Sequence, residues 1–214
     1  MARPREFDER SALQRAMRVF WRKGFAATSL ADLLKATGLS KSSLYQTFTD
    51  KRSLFLDALE TYRQARLRHL RDKLNDGRPA RQSLEAFFAE MLGHATEKER
   101  SYGCMSCNEA VELSPDDEEV RKLVAADFQA VEDLFADAIR RGQDDGSIRN
   151  HDSSRALARF LTVNLQGLQV MARARVDASR LSDNVKVMLS AFDQPGAASP
   201  AKEPRARAAH AMRR

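Results

Sequence analysis

The stretch from Leu30 to Phe48 constrains this chain more than any other. Leu30, Leu33 and Leu34 sit at helical spacing, Thr37-Gly38-Leu39-Ser40 interrupts them, and Leu44 and Phe48 resume an inward face. Two short helices joined by four residues have the sequence form of a helix-turn-helix. Gly38 allows the sharp turn, Leu39 fills the angle, and Leu34 and Leu44 pin the second helix at a steep crossing. Start signals agree: Ser29 with Asp32 three residues on opens the first helix, and Ser40 opens the second. A longer amphipathic segment precedes them, about Asp8 to Lys23, with Leu13, Ala16, Met17 and Phe20 in one stripe that Gly24 ends.

The rest of the chain is helical too. Ala (32) and Leu (23) far outnumber Val (10), Ile (2) and Thr (7), which removes an all-β fold. The pattern predicts about nine helices in an all-α chain. After the two short helices come segments at Lys51 to about Leu74, Ala80 to Thr96, Met105 to Leu113, a long helix from Ser114-Pro115-Asp116-Asp117 to about Gly142, Ser153 to Val176, and Leu181 to Phe192. Ser114 is expected as the N-cap of the long helix, with Pro115 in its first position. From Gln194 onward, Pro, Gly, Ala and basic residues predict a disordered tail. The longest charge-free stretch, Phe160 to Ala172, has 13 residues, short of the roughly 18 a membrane span requires. The charged N-terminus lacks the apolar run of a signal peptide, so a cytoplasmic location, reduced cysteines and no membrane partner are expected.

Charge is placed unevenly. Residues 1–53 hold 11 basic and 5 acidic side chains, net +6, residues 54–193 are net −4, and residues 194–214 are net +4. A basic head on a slightly acidic body points to a polyanion at one end only. The outward positions of the second short helix, Lys41, Ser42, Ser43, Tyr45, Gln46 and Thr47, suit base edges and phosphates in a major groove. The alternative for these residues is a plain helical corner with a solvated polar face.

Residues 13 to 59 closely resemble the TetR family of bacterial transcriptional regulators. The resemblance is carried by Leu13, Phe20, Gly24, Phe25, Thr28, Ser29, Leu30, by the run Gly38-Leu39-Ser40-Lys41-Ser42-Ser43-Leu44-Tyr45-Gln46-Thr47-Phe48, and by Lys51, Leu54 and Leu59. It implies a DNA-binding head at residues 6–66, a helical ligand-binding and dimerisation domain at 67–193, and a basic tail at 194–214. By position, Lys41, Ser42, Ser43, Tyr45, Gln46 and Thr47 would face a palindromic double-stranded operator. Thr28 and Lys51 would touch phosphates, with Ser29 in the same DNA-binding set, while Leu44 and Phe48 would be core. A homodimeric repressor released by a small-molecule effector follows as the expected function.

The body carries one unusual stretch, Gly103-Cys104-Met105-Ser106-Cys107-Asn108. Cys-x-x-Cys can hold a metal or cycle as a dithiol. A structural zinc takes four protein ligands, however, and no second pair exists; His94 would be a third ligand only if the loop folds back. Cys104 and Asn108 resemble a subgroup pattern of the family, and Cys107 departs from it. Two readings stand: small buried hydrophobes, or a thiol- or metal-responsive sensor in which Cys104 is activated by a helix start. No metal or cofactor is expected. For an effector pocket the candidates are Phe87, Phe88, Met91, Tyr102, Cys104, Met105, Asn108 and Phe128, each of which is equally a core residue by type. Dimerisation would use the last two helices through Leu157, Phe160, Leu161, Leu165, Leu168 and Met171, and Val185, Met188, Leu189 and Phe192. Asn164 and Gln166 are expected as interface or core hydrogen-bonders. Catalytic signatures are absent: no Gly-x-Gly-x-x-Gly, Walker loop, His-Glu-x-x-His or Gly-x-Ser-x-Gly occurs, and His69, His94, His151 and His210 are scattered. No enzyme activity is expected.

Overall fold

The computed structural model describes residues 8–93 and 101–195. His94 and residues 196–214, with the tail expected there, lie outside these. All regular structure among the described residues is helical: α1 (Glu9–Lys23), α2 (Leu30–Thr37), α3 (Lys41–Thr47), α4 (Lys51–Leu74), α5 (Ala80–Gly93), α6 (Met105–Glu112), α7 (Glu118–Asp144), α8 (Ser154–Arg173) and α9 (Ala178–Ser190). The first three helices pack with the start of α4 around Phe20, Leu33, Leu44, Leu54, Phe55 and Leu59, all buried. Phe20, Phe25 and Phe55 meet there, with the rings of Phe20 and Phe55 edge-on at 5.3 Å and those of Phe25 and Phe55 at 4.9 Å. Met105, Val120 and Val124 close this core from the body side. A second core, built from α4, α5, α7, α8 and α9, gathers Leu70, Phe88, Phe135, Leu161, Leu165 and Phe192.

α4 belongs to both cores. Its first half buries Leu54, Phe55, Ala58 and Leu59 among the head helices, and its last turns bury Leu70 and Leu74 in the body. The boundary expected between residues 66 and 67 therefore falls inside one continuous helix.

Helix ends follow local chemistry. Asp8, Ser29, Ser40 and Asp50 each accept a hydrogen bond from a backbone amide of the first turn, and Ser29 with Asp32 completes a capping box. Gly38 adopts φ +73 at the end of α2, a left-handed conformation that L side chains rarely adopt. The long helix departs from the sequence expectation. It starts at Glu118, because Asp117 accepts from the amides of Glu119 and Val120, while Ser114 gives its hydroxyl to the Glu109 carbonyl and so finishes α6 instead. It also runs through Gly142 to Asp144, because Ile148 packs where a Gly142 side chain would stand, its Cδ1 2.5 Å from that position. Likewise α9 begins at Ala178, where Asp177 accepts from the Ser179 amide, three residues before the first apolar position of its stripe.

Candidate functional site

The exposed side of α3 is built by burying its other side. Leu44 is fully buried and Phe48 nearly so, which turns Lys41, Ser42, Tyr45 and Gln46 outward, with Ser43 and Thr47 half-buried at the edge. Tyr45 is the one large exposed hydrophobic side chain of this helix. Ser43 donates its amide to Ser40 Oγ at 3.1 Å, the hydroxyls of Ser40, Ser42 and Ser43 share hydrogen bonds of 2.9–3.0 Å, and Thr47 donates to the Ser43 carbonyl. Lys41, Tyr45 and Gln46 therefore project with no partner among the described residues, three side chains of the type that reads or clamps a nucleic acid.

The flanking residues are placed differently. Ser29 is occupied by its capping box with Asp32, and Lys23 pairs with the same Asp32 at 2.6 Å, holding that carboxyl well below the usual range. Lys51 lies 4.3 Å from the centre of the Phe25 ring, a cation–π contact that positions the ammonium beside the corner between α1 and α2. Thr28, expected at a phosphate, faces the inside of the corner. It is 1% exposed and donates its hydroxyl to the Gly24 carbonyl at 2.6 Å, so in this conformation it braces the corner from inside.

A seam of specific contacts fixes these helices to the body. Glu112, the last residue of α6, accepts from the backbone amides of Phe25 at 3.2 Å and Ala26 at 2.6 Å. Trp21 donates its indole N–H to the Gly103 carbonyl at 3.0 Å, Arg173 donates to the carbonyls of Tyr102 and Trp21, and Arg52 binds Asp117 and Glu119 with both guanidinium nitrogens.

Behind the seam is a cavity of about 520 Å³, within the usual range for small-molecule sites. Its walls are Met17 and Trp21 from α1, Tyr62, Ala65, Arg66, His69 and Leu70 from α4, Phe87, Glu90, Met91 and Leu92 near the end of α5, and Gly103, Val131, Leu165, Leu168, Gln169, Ala172 and Leu181. They are mostly apolar, with His69 3.2 Å from Glu90 and Lys73 also paired to it. Of the expected lining residues, Phe87 and Met91 are in these walls. Phe88 is fully buried in the body core and Met105 in the head core, against which Phe128 packs. Tyr102 packs edge-on against Trp21, and Asn108 donates to the Tyr102 carbonyl. Sequence reasoning missed Trp21, Tyr62, Arg66, His69, Glu90 and Gln169, because the wall is assembled from separate helices and its polar members carry no shared motif.

Cys104 stands just behind that wall at the start of α6. Both cysteines are free and buried, and no group of three or more His, Cys, Asp or Glu side chains able to hold a metal occurs among the described residues. Arg66 donates Nη1 to Cys104 Sγ at 2.9 Å, while Arg66 and Arg63 face the fully buried Asp127 at 3.1 and 3.8 Å. Burial opposes ionisation of Cys104, but the hydrogen bond with Cys107, the Arg66 charge and the hydrogen bond with Tyr62 outweigh it and bring the thiol down to about 5. Cys107 moves the opposite way, pushed up by its hydrogen bond with Cys104 and by burial. It donates to Gln166 Oε1 of α8 at 2.7 Å.

The two-core helical fold, with a capped, outward-facing third helix, defines a helix-turn-helix regulator. Known proteins agree. The pattern described as "Bacterial regulatory proteins, tetR family" matches residues 12–58, and "Tetracyclin repressor-like, C-terminal domain" matches residues 80–188. The chain is 33% identical to the uncharacterized HTH-type transcriptional regulator YezE of Bacillus subtilis (strain 168) over 90% of its own length and 100% of that protein. It is 32% identical to the HTH-type transcriptional repressor ComR of Escherichia coli (strain K12), over 84% and 86%. Among solved structures, a cysteine mutant of the TetR family transcriptional regulator CifR, complexed with 26-bp double-strand operator DNA, superposes with a TM-score of 0.79 and 34% identity. That match covers 89% of this chain and 100% of the other. The chain belongs to the TetR family of bacterial transcriptional regulators, as the resemblance in residues 13 to 59 implied, and is a DNA-binding transcriptional regulator.

Proposed function

We propose that this chain is a homodimeric repressor that binds a palindromic double-stranded operator through α3 and is released when a small molecule occupies the body cavity. DNA contact belongs to Lys41, Tyr45 and Gln46, with Ser42, Ser43 and Thr47 at the edges of the same surface and Lys51 and Ser29 beside the phosphates. In this division, residues 6–66 serve DNA and residues 67–193 serve the ligand and the second copy, in the cytoplasm. Among the described residues no helix is long and apolar enough to cross a membrane, and the family is one of transcriptional regulators, so no catalytic role is assigned.

One observation carries the ligand response: Met17 and Trp21 of α1 are walls of the cavity, and α1 also packs directly on α2 and α4. A molecule that fills the cavity meets α1 directly, the helix that packs on α2 and α4 of the head. It shifts the protein only by its differential affinity for the DNA-competent and released states. Dimerisation is supported by apolar residues left outside both cores. Phe160, Val163, Val170 and Met171 of α8 are 40–71% exposed, and Gly167 lies between them with open space above it. The leucines expected at a dimer face, Leu157, Leu161, Leu165 and Leu168, are instead buried in the chain's own core.

The test is operator binding. Titration of the upstream region of the chain's own gene at several salt concentrations is expected to show binding that weakens steeply with salt. Tyr45→Ala and Lys41→Ala are expected to weaken it by roughly ten- to a hundredfold, with Lys41→Ala lowering the salt slope by about one. Wild-type affinity in both variants overturns the assignment of α3.

A further inference from the structure

A cysteine that serves only as a small hydrophobe has no need of a guanidinium. Cys104 has Arg66 Nη1 on its sulfur at 2.9 Å and a place at the N-cap of α6, where the helix amides favour negative charge. Arg63 is paired with Glu60 at 2.5 Å, while Arg66 is shared between the fully buried Asp127 at 3.1 Å and the Cys104 sulfur. Burial and the Cys104 charge push the Tyr62 hydroxyl up, so it remains a donor. Cys107, three residues on and one helical turn away, remains a thiol.

We infer that Cys104 and Cys107 are a redox-active pair, in which Cys104 is the thiolate oxidised by a hydroperoxide and Cys107 the thiol that closes the disulfide. This modification site stands apart from the operator-binding reading. Its approach is the cavity wall that includes Tyr62, Arg66 and Gly103, of which Arg66 donates to the Cys104 sulfur.

The chemistry closes on these groups. The thiolate sulfur attacks one peroxide oxygen, the O–O bond breaks, and the departing alkoxide or hydroxide takes a proton from solvent and leaves as an alcohol or water. Sulfur is oxidised by two electrons to sulfenic acid and the peroxide is reduced. Arg66 stabilises the attacking thiolate. Cys107 then gives up its proton, its sulfur attacks the Cys104 sulfur, the S–O bond breaks, and hydroxide leaves with that proton as water. Closure joins two sulfurs that stand three residues apart at the start of α6. It costs the Cys107 contact with Gln166 and removes the anion facing Arg66.

The experiment uses hydrogen peroxide on the full-length protein and needs no DNA. The wild type is expected to lose about 2 Da of intact mass as two thiols become one disulfide, reversed by dithiothreitol. Cys107→Ser is expected to stop at a sulfenic acid trapped by dimedone, and Cys104→Ser to show neither product. Iodoacetamide labelling of Cys104 in wild type is expected to be at its full rate by about pH 7, with a midpoint roughly one unit higher in Arg66→Lys. Circular dichroism checks that Arg66→Lys is folded, and the two cysteine variants carry the test if it is not. An unchanged mass with both thiols still free, or a Cys104 labelling midpoint near the ordinary thiol value of about 8.5, overturns the inference.

Discussion

Glu109 sits fully buried on α6 with both carboxyl oxygens unpartnered among the described residues. Burial, reinforced by the charge of Glu112 and only partly offset by Arg173, pushes its carboxyl up to about 8. The folded state thus keeps a proton that the unfolded chain releases near pH 4.5, so stability falls as pH rises from about 4.5 to 8. Roughly 4–5 kcal/mol is expected to be lost across this window, at about 1.36 kcal/mol per pH unit. Glu109→Gln, which cannot ionise, is expected to flatten the curve. Urea melts of both proteins at pH 5, 6, 7 and 8 measure it, and equal slopes reject the assignment. One turn further on, Glu112 reaches the amides of Phe25 and Ala26 over Gly24. A Cβ on Gly24 would lie 2.2 Å from Glu112 Oε2, and φ there is +82, so a glycine shapes this contact as much as the carboxylate does.

Short helices depend on their buried side. α3 has seven residues, fewer than an isolated helix needs to persist in water, so its outward face exists only because Leu44 and Phe48 hold the inward one. Leu44→Ala is expected to cost about 2–5 kcal/mol, from lost transfer energy and the cavity left behind. DNA binding should fall along with the melting temperature, in contrast to Tyr45→Ala, which is expected to leave the melting temperature within a degree or two. Thermal melts of the two variants separate packing from contact. At the start of α9 the apolar stripe was a poorer guide than the capping side chain of Asp177, and at the start of α7 the Ser114-Pro115 signature preceded by three residues the side chain that caps, Asp117.

At the scale of the whole molecule, the unspent apolar surface runs along α8. Phe160, Val163, Gly167 and Val170 fall at spacings of three and four, one stripe of a helix whose opposite side is core. The glycine lets a second helix approach closely. Val163→Glu, which removes nothing from the core because Val163 is 71% exposed, is expected to convert the proposed dimer to monomer, read by sedimentation equilibrium. Operator affinity should then fall by at least tenfold, because one chain engages only one half-site. A variant that stays dimeric moves the interface elsewhere.

The all-helical class, the helix-turn-helix and its outward residues were legible in the sequence, because each rests on local rules: apolar spacing, capping side chains and a glycine at the turn. The place of Cys104 at the start of a helix was also legible. The inward bond of Thr28 was not legible, because its hydroxyl meets the Gly24 carbonyl only once the corner folds. The cavity was mostly hidden, since Trp21, Tyr62, Arg66 and Gln169 lie far apart in sequence and converge only through packing of α1, α4 and α8. Only the tertiary structure decided which leucines of α8 are core and which neighbours remain exposed, because a stripe records that a face is buried and not what buries it.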